Sequence, residues 1–258
     1  MNLSDKKVKE IEALFKAAKE EELNVLIQYA LEDTRASVIK IGNKYAKHLE
    51  GIKKLKEEWE QKLYFDQAFK GEHKVLVGVD EVGRGPLAGP VVACAVVLPK
   101  ECELLGVKDS KKIAEEKREE LYDEILDKAL FVGIGVVEAD EIDRLNILQA
   151  TFKAMRIALS KLEEQDIVVL VDGDKTIPQI ESIQHAVVKG DNKSGAIAAA
   201  SIVAKVTRDR MMKDYAKVYP QYDWESNKGY GSHAHYEGIR TYGITPLHRR
   251  TFLKNEGF

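Results

Sequence analysis

The chain has 258 residues, of which 44% are hydrophobic and 32% are charged, and this balance is typical of a globular protein in water. Its formal net charge of −3 argues against a strongly basic nucleic-acid-binding protein. No apolar stretch approaches the roughly 20 residues of a membrane span, and the charged N-terminus lacks the apolar centre of a signal peptide. We therefore expect a cytoplasmic protein without membrane contact. The cysteines, Cys94 and Cys102, form neither a disulfide framework nor a CxxC zinc motif.

The charged residues are unevenly distributed along the chain. Residues 73–188 carry a net charge of −8, whereas residues 189–258 carry a net charge of +5. An acidic centre beside a basic C-terminal region suits a metal site flanked by a phosphate-binding surface. Ordinary variation of a protein surface would also produce such a distribution.

Residues 1–72 are predicted to form a separate helical extension. Val8, Ile11 and Phe15 share one helical face. Further along, residues three and four apart form a heptad pattern that comprises Val38, Ile41, Tyr45, His48, Ile52, Leu55 and Trp59. The pattern predicts a helical hairpin or a three-helix unit, with His48 packed in the apolar seam. No residue of this extension has a type or spacing that indicates chemistry.

From residue 73 onward the hydrophobic pattern changes to that of strands and helices in alternation. Short apolar runs predict strands at 75–79, 91–98, 130–137, 167–171 and 183–188. Helices are predicted at about 114–128 and 139–143, after residue 146, and at 194–215. This order is typical of a mixed five-stranded sheet with helices on both faces, so we assign residues 73–258 to one α/β domain.

Carboxylates follow three of the predicted buried strands. Asp80 and Glu81 come after the first strand, Asp172 after the fourth, and Asp191 shortly after the fifth. Because ligands of α/β sheets bind beyond the ends of the strands, these acids could converge at one edge. Clustered carboxylates repel one another unless a cation neutralises them, and oxygen ligands favour Mg²⁺ or Mn²⁺. The pattern therefore predicts a metal site, of a kind that commonly holds two ions.

Two features of this set leave alternatives open. Neighbouring residues of a regular strand face opposite sides of the sheet. Asp80 and Glu81 can therefore share a metal only if the backbone turns there, or if Glu81 reaches around the end of the strand. Asp191 precedes a predicted helix by a few residues, and it could be the N-cap of that helix instead of a metal ligand.

The segment from Gly83 to Pro90 contains three glycines and two prolines, which argue against a helix. Gly83-Arg84-Gly85 lacks the Lys-Ser/Thr of a Walker loop, but its N–H groups and its arginine could contact a phosphate or a ribose hydroxyl. Tyr230, between two glycines, could stack on a sugar or a base, or could equally be a core residue. Further candidates for phosphate contacts, which could also be plain surface residues, are Ser110, Lys111, His235, His248 and Arg249.

Motifs within residues 74–256 match those of a known family in type and in order. The longest is GVDEVGRGPLAGPV at 78–91. The shorter motifs are KDSK at 108–111, Asn146 with AT at 150–151, VDG at 171–173, KGD at 189–191, AAASIVAK at 198–205, GYG at 229–231 and HRRTF at 248–252. In these motifs the chain resembles bacterial ribonuclease HII, the type 2 ribonuclease H. Ser232 and Thr251 stand where Thr and Ser are expected, and the helical extension lies outside the core pattern.

The resemblance implies a ribonuclease H-like fold and a metal-dependent endonuclease. Such an enzyme cuts the RNA strand of RNA–DNA hybrids. It also cuts on the 5′ side of single ribonucleotides embedded in duplex DNA, leaving 5′-phosphate and 3′-hydroxyl ends. The resemblance further implies that Asp80, Glu81, Asp172 and Asp191 hold Mg²⁺ or Mn²⁺, with two ions present when substrate is bound. One ion would activate water and the other would stabilise the leaving oxygen.

The substrate contacts are implied in the same way. Gly83, Arg84 and Gly85 match the loop that senses the ribose 2′-hydroxyl, the group that separates RNA from DNA. Tyr230 matches the tyrosine that recognises the junction between ribonucleotide and deoxyribonucleotide. Ser110 and Lys111 belong to a matching motif and are predicted to bind substrate. We expect a monomer whose partners are RNA–DNA hybrids and ribonucleotide-containing duplex DNA.

Two alternatives to this interpretation are a related enzyme and a protein that is not an enzyme. The related ribonuclease HIII has a similar fold but carries a sheet-like N-terminal platform. The helical pattern of residues 1–70 and the Gly83–Gly85 loop argue against this alternative. The second alternative is a non-catalytic module that binds hybrids. The four acids argue against it, because concentrated negative charge near phosphates opposes binding unless it serves another purpose.

Overall fold

Before residue 71 the described chain forms three helices, α1 (Val8–Ala17), α2 (Glu20–Leu31) and α3 (Ala36–Lys70). The computed structural model describes residues 3–107, 110 and 113–254. Its contacts divide the chain into a first unit of residues 1–58 and a second unit of residues 59–258. This division falls within helix α3, and the predicted domain boundary at residues 72 and 73 stays a prediction.

The predicted heptad pattern of helix α3 does not form one continuous seam. Val38 and Ile41 are buried in the core of the first unit, together with Phe15. Trp59 is buried in a different cluster, which belongs to the second unit. His48 between them is exposed, so the prediction that it packs in the seam is wrong. Both ends of the pattern are apolar because each contributes to a core, but the cores are separate.

A mixed five-stranded sheet lies at the centre of the second unit, as the pattern of apolar runs predicts. Its strands are β1 (Val75–Val82), β2 (Val91–Val97), β3 (Phe131–Val137), β4 (Ile167–Asp172) and β5 (Ile183–Val187). The order across the sheet is β3-β2-β1-β4-β5. Strand β1 pairs antiparallel with β2 and parallel with β4, so the strand that carries Asp80 and Glu81 occupies the middle.

Helices cover both faces of this sheet. The described α-helices after residue 98 are α4 (Glu115–Lys128), α5 (Ala139–Leu145), α6 (Ile147–Leu159), α7 (Gly195–Val218), α8 (Trp224–Asn227), α9 (His233–Tyr242) and α10 (Arg250–Leu253). Helix α6 packs on the valines of one face, and the alanine-rich start of α7 packs on the other. Gly78 permits the close approach of α7, since a Cβ atom there would lie 2.2 Å from the carbonyl carbon of Ala196.

Among the described residues, no helix combines the length and the hydrophobicity that crossing a membrane requires. Cys94 and Cys102 are both buried and free. The α/β class and the helical N-terminal region are confirmed.

Candidate active site

The predicted acids of β1 and β4 lie at the same edge of the sheet. The sequence pattern predicted that Asp80 and Glu81 follow the first strand. Strand β1 continues to Val82, so both acids instead lie within the strand. Asp80 is only 6% exposed and Glu81 is half-buried. Asp172 is the last residue of the parallel neighbour β4. The parallel pairing of these two strands brings their carboxyl ends, and the acids on them, together.

These carboxylates lie close enough to repel one another. Burial raises the pKa of Asp80 well above its usual range, and the charges of Glu81 and Asp172 raise it further. Burial also raises the pKa of Glu81, an effect that the Arg84 guanidinium opposes. For Asp172, burial and the charge of Asp191 raise the pKa. The site therefore concentrates negative charge in a partly desolvated place, which is the environment that a divalent cation stabilises.

Each of three carboxylates places one oxygen on a local donor. Asp80 Oδ1 accepts the N–H of Glu81 at 2.7 Å, and Asp172 Oδ1 accepts the N–H of Gly190 at 2.6 Å. Asp191 Oδ1 accepts the side-chain amide of Asn192 at 2.7 Å. With the side chains turned this way, no three Asp, Glu, His or Cys groups in the described part of the chain are arranged to hold one ion together. For three of these carboxylates to share one ion, some of the side chains must therefore rotate.

Asp191 lies in a short 3₁₀ turn, Gly190–Asn192, between β5 and α7. The N-cap of α7 is Ser194, whose hydroxyl accepts the N–H of Ile197 at 3.1 Å. The alternative that Asp191 caps this helix is therefore wrong. The hydrogen bond from Gly190 to Asp172 fastens the turn to the end of β4 and keeps Asp191 near the other acids.

The segment from Gly83 to Pro90, here called the glycine loop, lies at the exposed side of this cluster of acids. Gly83 has φ of +92°, and a Cβ atom there would lie 2.3 Å from Nε of Arg208, so only glycine fits. Arg84 is exposed and pairs with Glu81 at 3.3 Å. Tyr230 is 44% exposed and adjoins the loop, because a Cβ atom on Gly85 would lie 3.6 Å from its Cε1 atom. The structure thus brings Gly83, Arg84, Gly85 and Tyr230 together.

Two buried arginines donate hydrogen bonds to main-chain carbonyls of the glycine loop, a role that the sequence pattern did not predict. Arg208 donates to the carbonyl oxygens of Pro90 (2.9 Å) and Ala88 (3.1 Å). Arg249 donates to the carbonyl oxygens of Gly83 at 2.6 Å and Gly89 at 2.8 Å. Neither side chain is accessible to solvent. Burial lowers the pKa of Arg208 to about 10 and that of Arg249 to about 9, so both stay charged at neutral pH.

Three of the residues proposed for phosphate contacts therefore have other roles. Arg249 is fully buried, as is His235, and His248 is only 2% exposed. The prediction that these three contact phosphates is wrong. Their polar atoms are directed at the protein's own main chain and at one another, for example His235 Nδ1 at the carbonyl of Tyr230.

Ser110 is buried beside the acidic cluster. Its hydroxyl oxygen lies 3.1 Å from that of Ser201 on α7, and Ser201 also hydrogen-bonds to Asp80. Arg118 donates to the main-chain carbonyl of Ser110 at 2.7 Å. Lys111 lies outside the described residues. Ser110 thus adjoins the predicted metal ligands, and its function in substrate binding stays a prediction.

Comparisons with known proteins identify the family. The sequence model described as Ribonuclease HII matches residues 77–255. A second, described as Ribonuclease HII N-terminal domain, matches residues 7–70, so the helical extension, which we expected to lie outside the core pattern, has a family model of its own. Ribonuclease HII of Clostridioides difficile (strain 630) is 46% identical over 254 residues, covering 98% of this chain and 99% of the relative.

A second relative and a solved structure agree with this result. Ribonuclease HII of Bacillus subtilis (strain 168) is 48% identical over 227 residues, covering 88% of each chain. The crystal structure of ribonuclease H2 from Pyrococcus horikoshii OT3 has a TM-score of 0.59 and 29% identity, covering 69% of this chain and 93% of that chain. The chain therefore belongs to the ribonuclease HII family and is an endoribonuclease that acts on RNA–DNA hybrids.

Proposed function

We propose that this endoribonuclease requires a divalent metal and also cuts on the 5′ side of a single ribonucleotide embedded in duplex DNA. One observation carries the proposal. Asp80 is buried between the charges of Glu81 and Asp172, directly beside a loop that exposes Arg84 and a neighbouring Tyr230. A centre of buried negative charge next to an exposed cation and an aromatic ring suits the combination of a metal, a phosphate and a sugar.

The donor set fits Mg²⁺ or Mn²⁺. Asp80, Glu81, Asp172 and Asp191 offer only oxygen atoms, which hard divalent cations prefer over the softer zinc ion. When bound, two such ions would activate the attacking water and neutralise charge on the leaving oxygen. The raised pKa values of Asp80 and Glu81 support this assignment, because burial and neighbouring carboxylates oppose the ionised forms and the Arg84 guanidinium beside Glu81 does not offset this.

The proposed reaction is an in-line hydrolysis. The oxygen of water forms a bond to the phosphorus on the 5′ side of the ribonucleotide, and the bond from phosphorus to the preceding 3′ oxygen breaks. The 3′ oxygen takes up a proton, so the products are a 3′-hydroxyl and a 5′-phosphate on the ribonucleotide. The carboxylates of the chain would orient the attacking water and hold the scissile phosphate in line with it.

Recognition of the ribonucleotide would come from the glycine loop and Tyr230. A ribose differs from deoxyribose by its 2′-hydroxyl, which can both donate and accept a hydrogen bond. The main chain of Gly83, Arg84 and Gly85 can approach a sugar closely, because two of these three residues lack side chains. Tyr230 offers an exposed ring for stacking on the neighbouring sugar or base.

The experiment compares the cleavage of three labelled substrates: a uniform RNA–DNA hybrid, a DNA duplex with one ribonucleotide, and an all-DNA duplex. Each is incubated with Mg²⁺, with Mn²⁺ and with a chelator. We expect cleavage of the first two substrates only, with loss of activity in the chelator. Asp80→Asn should lower the rate by more than about 100-fold, beyond the usual effect of losing an outer-sphere partner of a metal. Asp214→Asn, at a 70% exposed side chain, is the matched control.

The rival functions predict different results. A ribonuclease HIII-like enzyme would cut the uniform hybrid and leave the single ribonucleotide intact. A non-catalytic module would bind the uniform hybrid and the single-ribonucleotide duplex with metal present and would cut neither. Equal rates with metal and with chelator would contradict the metal dependence.

A further inference from the structure

The end of helix α3 contacts the turn that carries Asp191. Lys62 Nζ donates to the main-chain carbonyl oxygen of Asp191 at 2.8 Å, and the Lys62 side chain is only 6% exposed. One turn further, Asp66 Oδ2 accepts the N–H of Ala196 at 3.0 Å. All four residues belong to the second unit, although the family model of the N-terminal domain includes the two from α3.

The contact of Lys62 fixes the main chain at the predicted metal ligand itself. A buried ammonium group is costly unless it is hydrogen-bonded, so its position beside the Asp191 carbonyl is strongly preferred. On the other side of the same turn, Gly190 donates to Asp172. The turn is therefore held from both sides, by a predicted ligand on β4 and by a lysine on α3.

Asp66 holds the start of the next element. The first N–H groups of an α-helix have no partner within the helix, and acceptors outside it must supply one. Ser194 accepts the N–H of Ile197, and Asp66 accepts that of Ala196. Trp59, one turn of α3 before Lys62, contacts the same place, since a Cβ atom on Gly195 would lie 3.0 Å from its ring. Side chains of α3 therefore contact the segment that connects Asp191 to α7 at successive positions.

We propose that Lys62 and Asp66 are positioning residues for Asp191, so that residues 59–70 form part of the metal-binding site. This inference rests on the proposed function, in which Asp191 is a metal ligand. Lys62 holds the carbonyl of that residue, and Asp66 holds the helix start that follows it. The Asp191 carboxylate is thereby kept where it can share an ion with Asp172.

The test measures Mn²⁺ affinity by titration calorimetry on the full chain without substrate. Lys62→Met keeps the aliphatic stem and removes the donor. We expect its Mn²⁺ dissociation constant to rise about tenfold, at the low end of the effect of losing an outer-sphere partner. Lys62→Arg, which can still donate to a carbonyl, should stay within about threefold of the wild type. Lys53→Met is the matched control, because Lys53 is on the same helix with a 78% exposed side chain.

A second readout separates positioning from a merely structural role. In cleavage assays at increasing Mn²⁺, Lys62→Met should need more metal to reach half its maximal rate, and the maximal rate should recover at saturating metal. A lower maximal rate and lower thermal stability with an unchanged Mn²⁺ midpoint would mean that Lys62 only supports the fold, and would overturn the inference.

Asp191→Asn distinguishes failure of this inference from failure of the proposed function. If Asp191→Asn weakens Mn²⁺ binding and Lys62→Met does not, the ligand assignment stands and the role of Lys62 is refuted. If Asp191→Asn binds Mn²⁺ like the wild type, Asp191 is not a ligand, and both conclusions fail. Weaker binding in both variants, with that of Asp191→Asn weaker still, supports both.

Discussion

His235 donates its Nδ1 hydrogen to the main-chain carbonyl of Tyr230 across 2.9 Å. Nε2 of the same ring accepts the indole hydrogen of Trp224 at 3.0 Å and lies 3.1 Å from Nε2 of His248. The other nitrogen of His248 accepts the N–H of Thr245, so its proton is assigned to Nε2, facing His235. Both rings are thus neutral, with all four nitrogens hydrogen-bonded. The pair holds the main chain of Tyr230 beside the glycine loop.

Protonation of this histidine pair should destabilise the fold at acidic pH. Burial lowers the pKa of His248 to about 4, so below pH 6.5 the unfolded chain binds a proton that the folded protein resists. The resulting stability is present above pH 6.5 and is lost as the pH falls towards 4. His248→Asn keeps an acceptor for Thr245 and removes the titration. Between pH 7 and pH 4, urea unfolding should show the wild type losing up to about 3 kcal/mol more than this variant. Equal losses would contradict the assignment of a buried neutral ring.

Asp66 should produce a pH dependence of opposite sign. Burial raises the pKa of this carboxyl to about 6, so between about pH 4 and pH 6 the folded protein binds a proton that the unfolded chain has lost. Stability is therefore greater at pH 4 and declines as the pH rises to 6. Asp66→Asn retains an acceptor for Ala196 and cannot ionise. Over this range the wild type should lose up to about 3 kcal/mol relative to the variant. If the difference between the two proteins is constant with pH, Asp66 does not titrate in the folded state.

Arg84 and Arg249 should affect substrate choice in the same way and stability in different ways. Arg84 is exposed, so Arg84→Ala should change the free energy of unfolding by less than about 0.5 kcal/mol. Arg249 donates to several buried carbonyls of the glycine loop, and each buried acceptor without a donor costs roughly 1–3 kcal/mol. Lysine lacks the several N–H donors of the planar guanidinium group. Arg249→Lys should therefore lower the free energy of unfolding by more than about 2 kcal/mol.

Both arginine variants should discriminate less well between ribose and deoxyribose. The measurement is the rate of nicking of the single-ribonucleotide duplex relative to that of the all-DNA duplex, made alongside thermal unfolding. Nicking of the all-DNA duplex should be at the detection limit for the wild type and measurable for both variants. Mn²⁺ affinity should change less than ribose discrimination in Arg84→Ala, because Arg84 is not itself a proposed ligand but pairs with the ligand Glu81. An unaltered substrate ratio in both variants would refute the assigned role of the loop.

Much of the fold follows from local patterns, whereas the support of the site does not. The central strands are short apolar runs of the length and composition of buried strands, and Asp80 and Asp172 stand out as charged residues at the ends of these runs. Arg249 and His235 instead belong to residue types that usually lie at the surface. Their burial depends on carbonyls of the glycine loop about 160 positions away for Arg249, and on His248 for His235.

Helix α3 illustrates the same limit. The heptad pattern from Val38 to Trp59 correctly predicts helix in this region, and α3 continues through Gly42 and Gly51. Lys62 and Asp66 are polar residues of such a pattern and carry no signal of their contacts. Those contacts arise from the packing of Trp59 and its neighbours against the start of α7. A lysine and an acidic residue one turn apart also form pairs on solvent-exposed helices, so this spacing alone does not indicate burial.

Asp80→Asn should stabilise the protein while it abolishes cleavage. In the wild type, burial and the charges of Glu81 and Asp172 oppose ionisation of Asp80. Asparagine has nearly the same volume and carries no charge, so the metal-free variant should unfold at a higher temperature than the metal-free wild type. Differential scanning calorimetry in chelator, with Asp214→Asn as the control, makes the comparison. A lower unfolding temperature would mean that the carboxylate of Asp80 supports the fold.

The most direct test of the central claim is to map the cut in a DNA duplex that contains one ribonucleotide, with Mg²⁺ or Mn²⁺ present. We expect a single nick at the phosphate on the 5′ side of the ribonucleotide, with a 3′-hydroxyl upstream and a 5′-phosphate on the ribonucleotide, and no nick after Asp80→Asn. Cleavage on the 3′ side, or an uncut duplex under conditions in which a uniform hybrid is cut, would contradict it.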